Sequence, residues 1–202
     1  MRYKILGKLP LDTVEFFKKE ILLRKKTDDP YQWIHFDQEL NDYFFKIFEN
    51  HELEIQYDPE HGRFVQKAFY TEPNHGFRIH RDGHRCQSAM NIAISCNDTD
   101  FVRWYDTDVI NGLSDTVATD NTRGKGGRSR NTNIMEYEDI PYTHELHCQV
   151  GDVYALDVDT FHSFKCGGPE PRIIIQTKFK DFPDFQTIAE SLTRSSFRTI
   201  IN

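Results

Sequence analysis

Cysteine is scarce and shows no metal-binding or disulfide pattern. Among the 202 residues there are four, Cys86, Cys96, Cys148 and Cys166, and no Cys-x-x-Cys pair. They read as reduced thiols of a cytosolic protein rather than a disulfide frame. No apolar run approaches the length of a membrane span, which excludes an integral helical membrane protein. Met1 to Leu11 has neither a long apolar core nor a small-residue cleavage site, so no signal peptide is expected. An excess of basic charge is missing too: 25 Lys and Arg stand against 32 Asp and Glu, a net charge of −7. That argues against a generic nucleic-acid binder, although the local cluster Arg123, Lys125, Arg128 and Arg130 leaves room for an anionic substrate or for a merely solvated loop. Internal repeats, low-complexity tracts and linkers are also absent, so residues 1–202 are expected to form one domain.

Aromatic residues are plentiful. Sixteen Phe, nine Tyr and two Trp argue against disorder despite a mean hydropathy of −0.66. Leu11 to Leu23 and Gln38 to Glu49 carry apolar residues at helical spacing, with Asp12 as a candidate cap for the first, so residues 1 to about 50 read as helical. After that, turn residues bound short runs of Val, Ile, Phe and Tyr. Strands are expected near 52–57, 64–70, 76–80, 88–95, 101–105, 133–137, 145–150, 152–157 and 172–179, with a last helix near 184–194. The fold class is mainly β, a sandwich or jelly roll with helices packed outside. Asp106 to Arg130 is polar and holds four glycines, which suits a mobile cover over a site.

Two segments carry chemistry. In Phe77-Arg78-Ile79-His80-Arg81-Asp82, a strand puts His80 and Asp82 on one face, where imidazole and carboxylate can grip one metal ion. Gly151-Asp152 opens an apolar segment that ends at His162, and the chain returns through Gly167-Gly168-Pro169 to Arg172. A hairpin about Gly167 would make His162 and Arg172 near-opposite cross-strand partners. Two His and one carboxylate on one face match the ligand set of non-haem Fe(II) oxygenases. A buried arginine beside them calls for an anion.

His80, Asp82, His162 and Arg172, the last two ten positions apart, make the sequence resemble the Fe(II)/2-oxoglutarate-dependent dioxygenase superfamily, its prolyl-hydroxylase-like branch most. The similar region runs from about Lys67 to Phe179. The resemblance implies a double-stranded β-helix with helices before it. It also implies Fe(II) on His80, Asp82 and His162, and 2-oxoglutarate anchored by Arg172. The co-substrates would be O₂ and an unidentified substrate oxidised as 2-oxoglutarate is decarboxylated. Tyr70, ten residues before His80, matches a cofactor-contacting tyrosine of that branch. Asn91 and Ser95 are further cofactor-binding candidates, since a polar stripe with Ala93 would face inward. Asp82 keeps a carboxylate where halogenating members have a small residue, so hydroxylation or another oxygen-dependent oxidation is expected, and not halogenation. The sequence departs from the branch at Ile174, where a hydroxyl residue is common, and lacks its Gly-Gly-Glu-Thr segment. His84 remains a rival ligand, Trp104 and Tyr105 read equally as core or substrate wall, and a non-catalytic jelly-roll or cupin-like module that binds a ligand or a metal remains the alternative.

Overall fold

The period-2 segments of the sequence pair into two facing sheets. A computed structural model describes residues 1–26, 28–49, 53–60, 63–64, 66–82, 87–111, 119–120, 140–193 and 196–197. In chain order the elements are β1 (Tyr3–Lys8), α1 (Leu11–Leu23), β2 (Tyr31–His35), α2 (Gln38–Ile47), β3 (Phe48–Glu49), β4 (Tyr57–Asp58), β5 (Arg63–Phe64), β6 (Gln66–Thr71), β7 (Gly76–Arg81) and β8 (Ser88–Ser95). They continue with β9 (Phe101–Tyr105), α3 (Thr107–Asn111), β10 (Thr119–Asp120), β11 (Tyr142–Leu146), β12 (Asp152–Asp157), β13 (His162–Lys165), β14 (Arg172–Thr177), α4 (Phe185–Thr193) and β15 (Ser196–Phe197).

The larger sheet has the order β1-β12-β8-β14-β6-β2, the smaller β10-β7-β13-β9-β11. From β6 to β14 the chain passes back and forth between them. Strands β6, β8, β12 and β14 lie in the larger sheet, while β7, β9, β11 and β13 lie in the smaller. This is the double-stranded β-helix that the sequence led us to expect.

Side-chain alternation sorts the larger sheet into two faces. Ile173 and Ile175 of β14, Ile92 of β8 and Val153 of β12 join Phe17 of α1, Phe44 of α2 and Ile188 of α4 in an outer core. Ile174, Ala93 and Tyr154 point the other way and pack with Trp104 and Val102 of the smaller sheet in the inner core. The helices therefore cover one face of the larger sheet, and the other face looks into the roll. Asp37 caps α2 by accepting from Leu40 N at 3.0 Å. Asp184 does the same for α4 from Thr187 N at 2.7 Å. Asp12 sits inside the first turn of α1 rather than at its cap, which is Pro10.

Three sequence expectations need correction. The first fifty residues are not only helical: β1 and β2 supply both edges of the larger sheet. They escaped notice because each is a short edge strand, and β1 is interrupted by a bulge between Ile5 and Gly7. The segment expected at 52–57 yields only a bridge between Ile55 and Phe179 and the start of β4. Lastly, His162 and Arg172 are not hairpin partners. His162 pairs with His80 and Trp104 in the smaller sheet, whereas Arg172 pairs with Thr71 in the larger. The strand expected at 133–137, the basic cluster 123–130 and most of the 106–130 stretch lie outside the described residues.

The turn 166–171 carries the chain from one sheet to the other. It packs on the corner between β8 and β9. Buried Asp100 accepts from Asn97 N at 3.0 Å and from Gly167 N at 2.9 Å, and Asn97 Nδ2 donates to Glu170 O at 2.8 Å. A Cβ at Gly168 would lie 2.2 Å from Asn97 Cγ, so only glycine fits there. Removing the Asp100 carboxylate strands two backbone donors in the interior. Asp100→Ala should cost about 2–5 kcal/mol of stability, read as a lowered urea midpoint.

Candidate metal and anion site

The sheet crossing places metal-ligating and anion-binding groups on opposite walls of the roll. On the smaller sheet, His162 and His80 are direct cross-strand neighbours, with ring centroids 4.3 Å apart. Asp82 follows β7, and its N–H donates to Val158 O at 2.9 Å. The ligating atoms of His80, Asp82 and His162 all lie within 4.8 Å of one another, and His80 Nε2 is 3.7 Å from Asp82 Oδ1. Two donors that share an ion at about 2.1 Å each stand at most about 4.2 Å apart, so small side-chain rotations bring the three onto one ion. His162 Nδ1 donates to Thr160 O at 2.9 Å. A carbonyl only accepts, so this bond fixes the tautomer and leaves the Nε2 lone pair for a metal. No other group of three or more His, Cys, Asp or Glu side chains is so arranged among the described residues.

Burial works to raise the Asp82 carboxyl, but the positive charge of Lys178, with smaller electrostatic contributions from His80 and His162, outweighs it and holds the carboxyl well below the usual carboxylate range. Lys178 Nζ stands 3.2 Å from Asp82 Oδ2. Because the folded value is depressed, the stability this carboxylate contributes is present above its unfolded value near pH 4. It declines as pH falls below that value and is gone once pH is below the lower folded value.

The facing wall is the inner surface of the larger sheet. Arg172 is 3 % exposed, and its Nε has no hydrogen-bond partner. Burial disfavours its charge, but its electrostatic surroundings outweigh this and the guanidinium stays ionised. Neither Asp100 nor Tyr154 forms an ion pair with it: Asp100 is engaged in the corner turn, and burial lifts the Tyr154 phenol far above its ordinary range, so Tyr154 stays neutral. Thr71, opposite Arg172, has a buried hydroxyl without a partner. Asn91 and Gln176 are cross-strand neighbours, and each has a buried amide oxygen in the same condition. Four orphaned polar side chains thus share one sheet face. Such groups cost free energy unless a ligand or water satisfies them.

Between the two walls lies an aromatic partition. The Arg172 guanidinium sits 4.8 Å from the Phe164 ring centroid; Phe164 stacks on Phe77 at 6.0 Å, and Phe77 meets His80 edge-on at 4.6 Å. Tyr31 of β2 joins Phe77 at 5.2 Å and Phe164 at 5.9 Å. Burial raises its phenol, Asp82 adds to the rise and Arg172 opposes it, so Tyr31 stands within the field of both walls.

The expected site residues therefore divide. His80, Asp82 and His162 come together, Arg172 lies on the facing sheet, and Asn91 shares the inner face of that sheet. Ser95 is buried beside Ile173, across a bulge from the Asn91–Gln176 pair. Tyr70 is misplaced. It shares the outer face with Ile173, donates to Glu72 at 2.8 Å and carries Lys25 over its ring. The strand alternation that puts Thr71 inward turns Tyr70 toward the helices, and the inward tyrosine is Tyr31, directly across from Thr71. Tyr31, Thr71, Gln176 and Lys178 were all missed. A helical reading of residues 1–50 hid Tyr31, and strand parity with Arg172 would have found Gln176. Trp104 and Tyr105 are core: Trp104 Nε1 donates to Asp157 O, and Tyr105 Oη bonds Ser163. His147 binds Asp100 O and Glu145 at the surface. His84 lies outside the described residues.

No family model matches the sequence, and no curated protein matches it. Solved structures do match in fold. HygX from Streptomyces hygroscopicus, solved with nickel and 2-oxoglutarate bound, aligns at TM-score 0.53 and 11% identity over 91% of this chain and 84% of its own. SnoK, a non-haem α-ketoglutarate-dependent carbocyclase from nogalamycin biosynthesis, aligns at TM-score 0.50 and 11% identity over 88% and 78%. A Pseudomonas putida prolyl-4-hydroxylase aligns at 0.49 and 13% identity over 88% and 91%. The chain has the double-stranded β-helix fold of HygX and SnoK.

No fourth His, Cys, Asp or Glu donor joins the three among the described residues, so each one is expected to be necessary. His80→Ala, Asp82→Ala and His162→Ala should each abolish stoichiometric binding of a divalent first-row metal while the circular dichroism spectrum is kept. Anaerobic titration with Fe(II) checks this, and full occupancy in any variant removes that residue from the set.

Proposed function

We propose that this protein is an Fe(II)- and 2-oxoglutarate-dependent oxygenase. The observation that carries the reading is the pairing of a His80–Asp82–His162 cluster on one wall with a buried, anion-seeking Arg172 on the other. A ligand held by both needs a chelating group at one end and a carboxylate at the other, which describes 2-oxoglutarate. HygX, of the same fold, was solved with nickel and 2-oxoglutarate bound, which supports the assignment.

The donor set fits a redox-active divalent iron: two neutral imidazoles and one carboxylate leave three coordination positions open. When bound, the iron supplies oxygen activation coupled to oxidative decarboxylation of the 2-oxo acid. The protein's own residues bind and orient. Arg172, with Thr71 beside it, receives the far carboxylate. Neutral Tyr154 and the Asn91 and Gln176 amides offer further donors. Phe164, Phe77 and Ile174 keep the middle of the cavity apolar and exclude water. Asp82 supplies a carboxylate where a halogenating enzyme needs space for halide, which favours hydroxylation or another oxygen-dependent oxidation. A non-catalytic ligand-binding module of the same fold would also hold an anion at Arg172, so turnover is what separates the two readings.

Succinate release from 2-oxoglutarate by the Fe(II)-loaded protein tests the proposal directly, and its absence with every candidate substrate and in uncoupled turnover would count against it. Arg172→Ala should retain iron yet weaken 2-oxoglutarate binding by about 2–5 kcal/mol, because a buried charge-assisted pair loses one partner. Arg172→Lys should recover part of that loss, keeping charge without the bidentate fork. Calorimetric titration of the metal-loaded variants measures both.

A further inference from the structure

The two oxygens of Asp82 have different surroundings. Oδ1 faces His80 Nε2 at 3.7 Å, on the side where the three ligating atoms converge. Oδ2 is held by Lys178 Nζ at 3.2 Å. Lys178 is the first residue after β14, and its carbonyl accepts from Gln56 N at 2.9 Å, so its backbone is tied down. The two side chains are 16% and 20% exposed, which sets this pair apart from a solvated surface bridge.

We propose that Lys178 is a positioning residue that restricts Asp82 to binding metal through Oδ1 alone. The inference rests on the assignment of His80, Asp82 and His162 as metal ligands. A carboxylate can hold a divalent ion through one oxygen or both. A chelating carboxylate would take one of the three positions that two His and one monodentate carboxylate leave open. Two of those positions are needed by a 2-oxo acid and one by dioxygen. An ammonium on Oδ2 keeps the carboxylate from rotating into the chelating arrangement, and it does so from the strand that begins with Arg172.

The test uses Mn(II) as the probe and counts its exchangeable waters by water-proton relaxation, with no turnover required. The full-length protein, Lys178→Met and Lys178→Arg are each loaded with one equivalent. Lys178→Met should bind Mn(II) but lose one coordinated water of three, so the bound-metal relaxivity falls by about a third. Lys178→Arg should restore it, since a guanidinium also holds Oδ2. Should the methionine variant fold poorly, Lys178→Ala carries the same expectation. Unchanged relaxivity in the folded, metal-loaded Met or Ala variant overturns the role of Lys178 and leaves the ligand set standing. Failure of the unaltered protein to bind Mn(II) overturns the ligand set itself.

Discussion

The carboxylate of Asp157 organises the turn on which the metal-site residues depend. Its Oδ1 accepts from Asp159 N at 3.1 Å and Thr160 N at 3.2 Å. Its Oδ2 accepts from Thr160 Oγ1 at 2.9 Å and from Arg2 at 2.6 Å. With the turn fixed this way, two of its carbonyls are aimed outward at defined points. Thr160 O receives His162 Nδ1, and Val158 O receives the backbone N–H of Asp82. The backbone carbonyl of Asp157 takes Trp104 Nε1, which ties β9 to the same knot. Two of the three proposed ligands are thus oriented by hydrogen bonds to one four-residue turn, and Arg2 links that turn to the chain's first strand. A ligand set held by shared backbone contacts keeps its geometry before any ion arrives, which lowers the cost of binding one.

Charge is laid out asymmetrically across the roll. The smaller sheet brings a carboxylate paired with Lys178, and the larger brings a guanidinium whose Nε has no hydrogen-bond partner and which forms no ion pair among the described residues. Burying Arg172 without a counter-ion is costly, and an apolar residue at that position would pack against Phe164 and Ile174 without the penalty. The sequence retains the charge. Its neighbours are weak internal partners: Tyr154 is neutral, the thiol of Cys96 donates to the Cys148 carbonyl, the Cys148 thiol donates to Tyr154 Oη at 3.7 Å although its pKa is lowered to about 6, and Asp100 belongs to the corner turn. The vicinity of Arg172 therefore favours an anion from outside over collapse onto an internal ion pair.

The parts of this arrangement that were legible in the sequence are those that depend on local periodicity. His80 and Asp82 are two apart on one strand and its extension, and residues 88–95, 101–105 and 152–157 alternate clearly enough to be read as β8, β9 and β12. The bounds of α1 and the position of α4 were readable for the same reason, although the cap of α1 was not. What failed were inferences that crossed from one element to another. Glycines near the middle of 162–172 suggest a hairpin. In the fold they let the turn pass close over Asn97 and change sheets instead, a difference decided by what the turn packs against rather than by the turn itself. Tyr70 and Tyr31 illustrate a second limit. A tyrosine at the right distance in sequence before His80 is on the wrong face, and the tyrosine on the right face lies on an edge strand whose sequence, Tyr31-Gln32-Trp33-Ile34-His35, gives no hint of its partner. Lys178 was invisible because its significance depends on where Asp82 ends up across the roll.

The division of the site between two sheets bears on what it can hold. Facing sheets stand about 10 Å apart, and side chains from both fill most of that gap. On the proposed reading, a ligand gripped at one end by the His80–Asp82–His162 cluster and at the other by Arg172 must be short and charged at both ends. The partition between them is made of Phe164, Phe77 and Tyr31, with Ile174 on the larger sheet, so the middle of such a ligand meets rings and methyl groups. A chain of methylenes suits that surface; a hydroxylated or charged middle would be desolvated without compensation. Chelating head, apolar middle and carboxylate tail are the features of a 2-oxo diacid. The double-stranded β-helix supplies them by sending β13 to one sheet and β14 to the other within a six-residue turn.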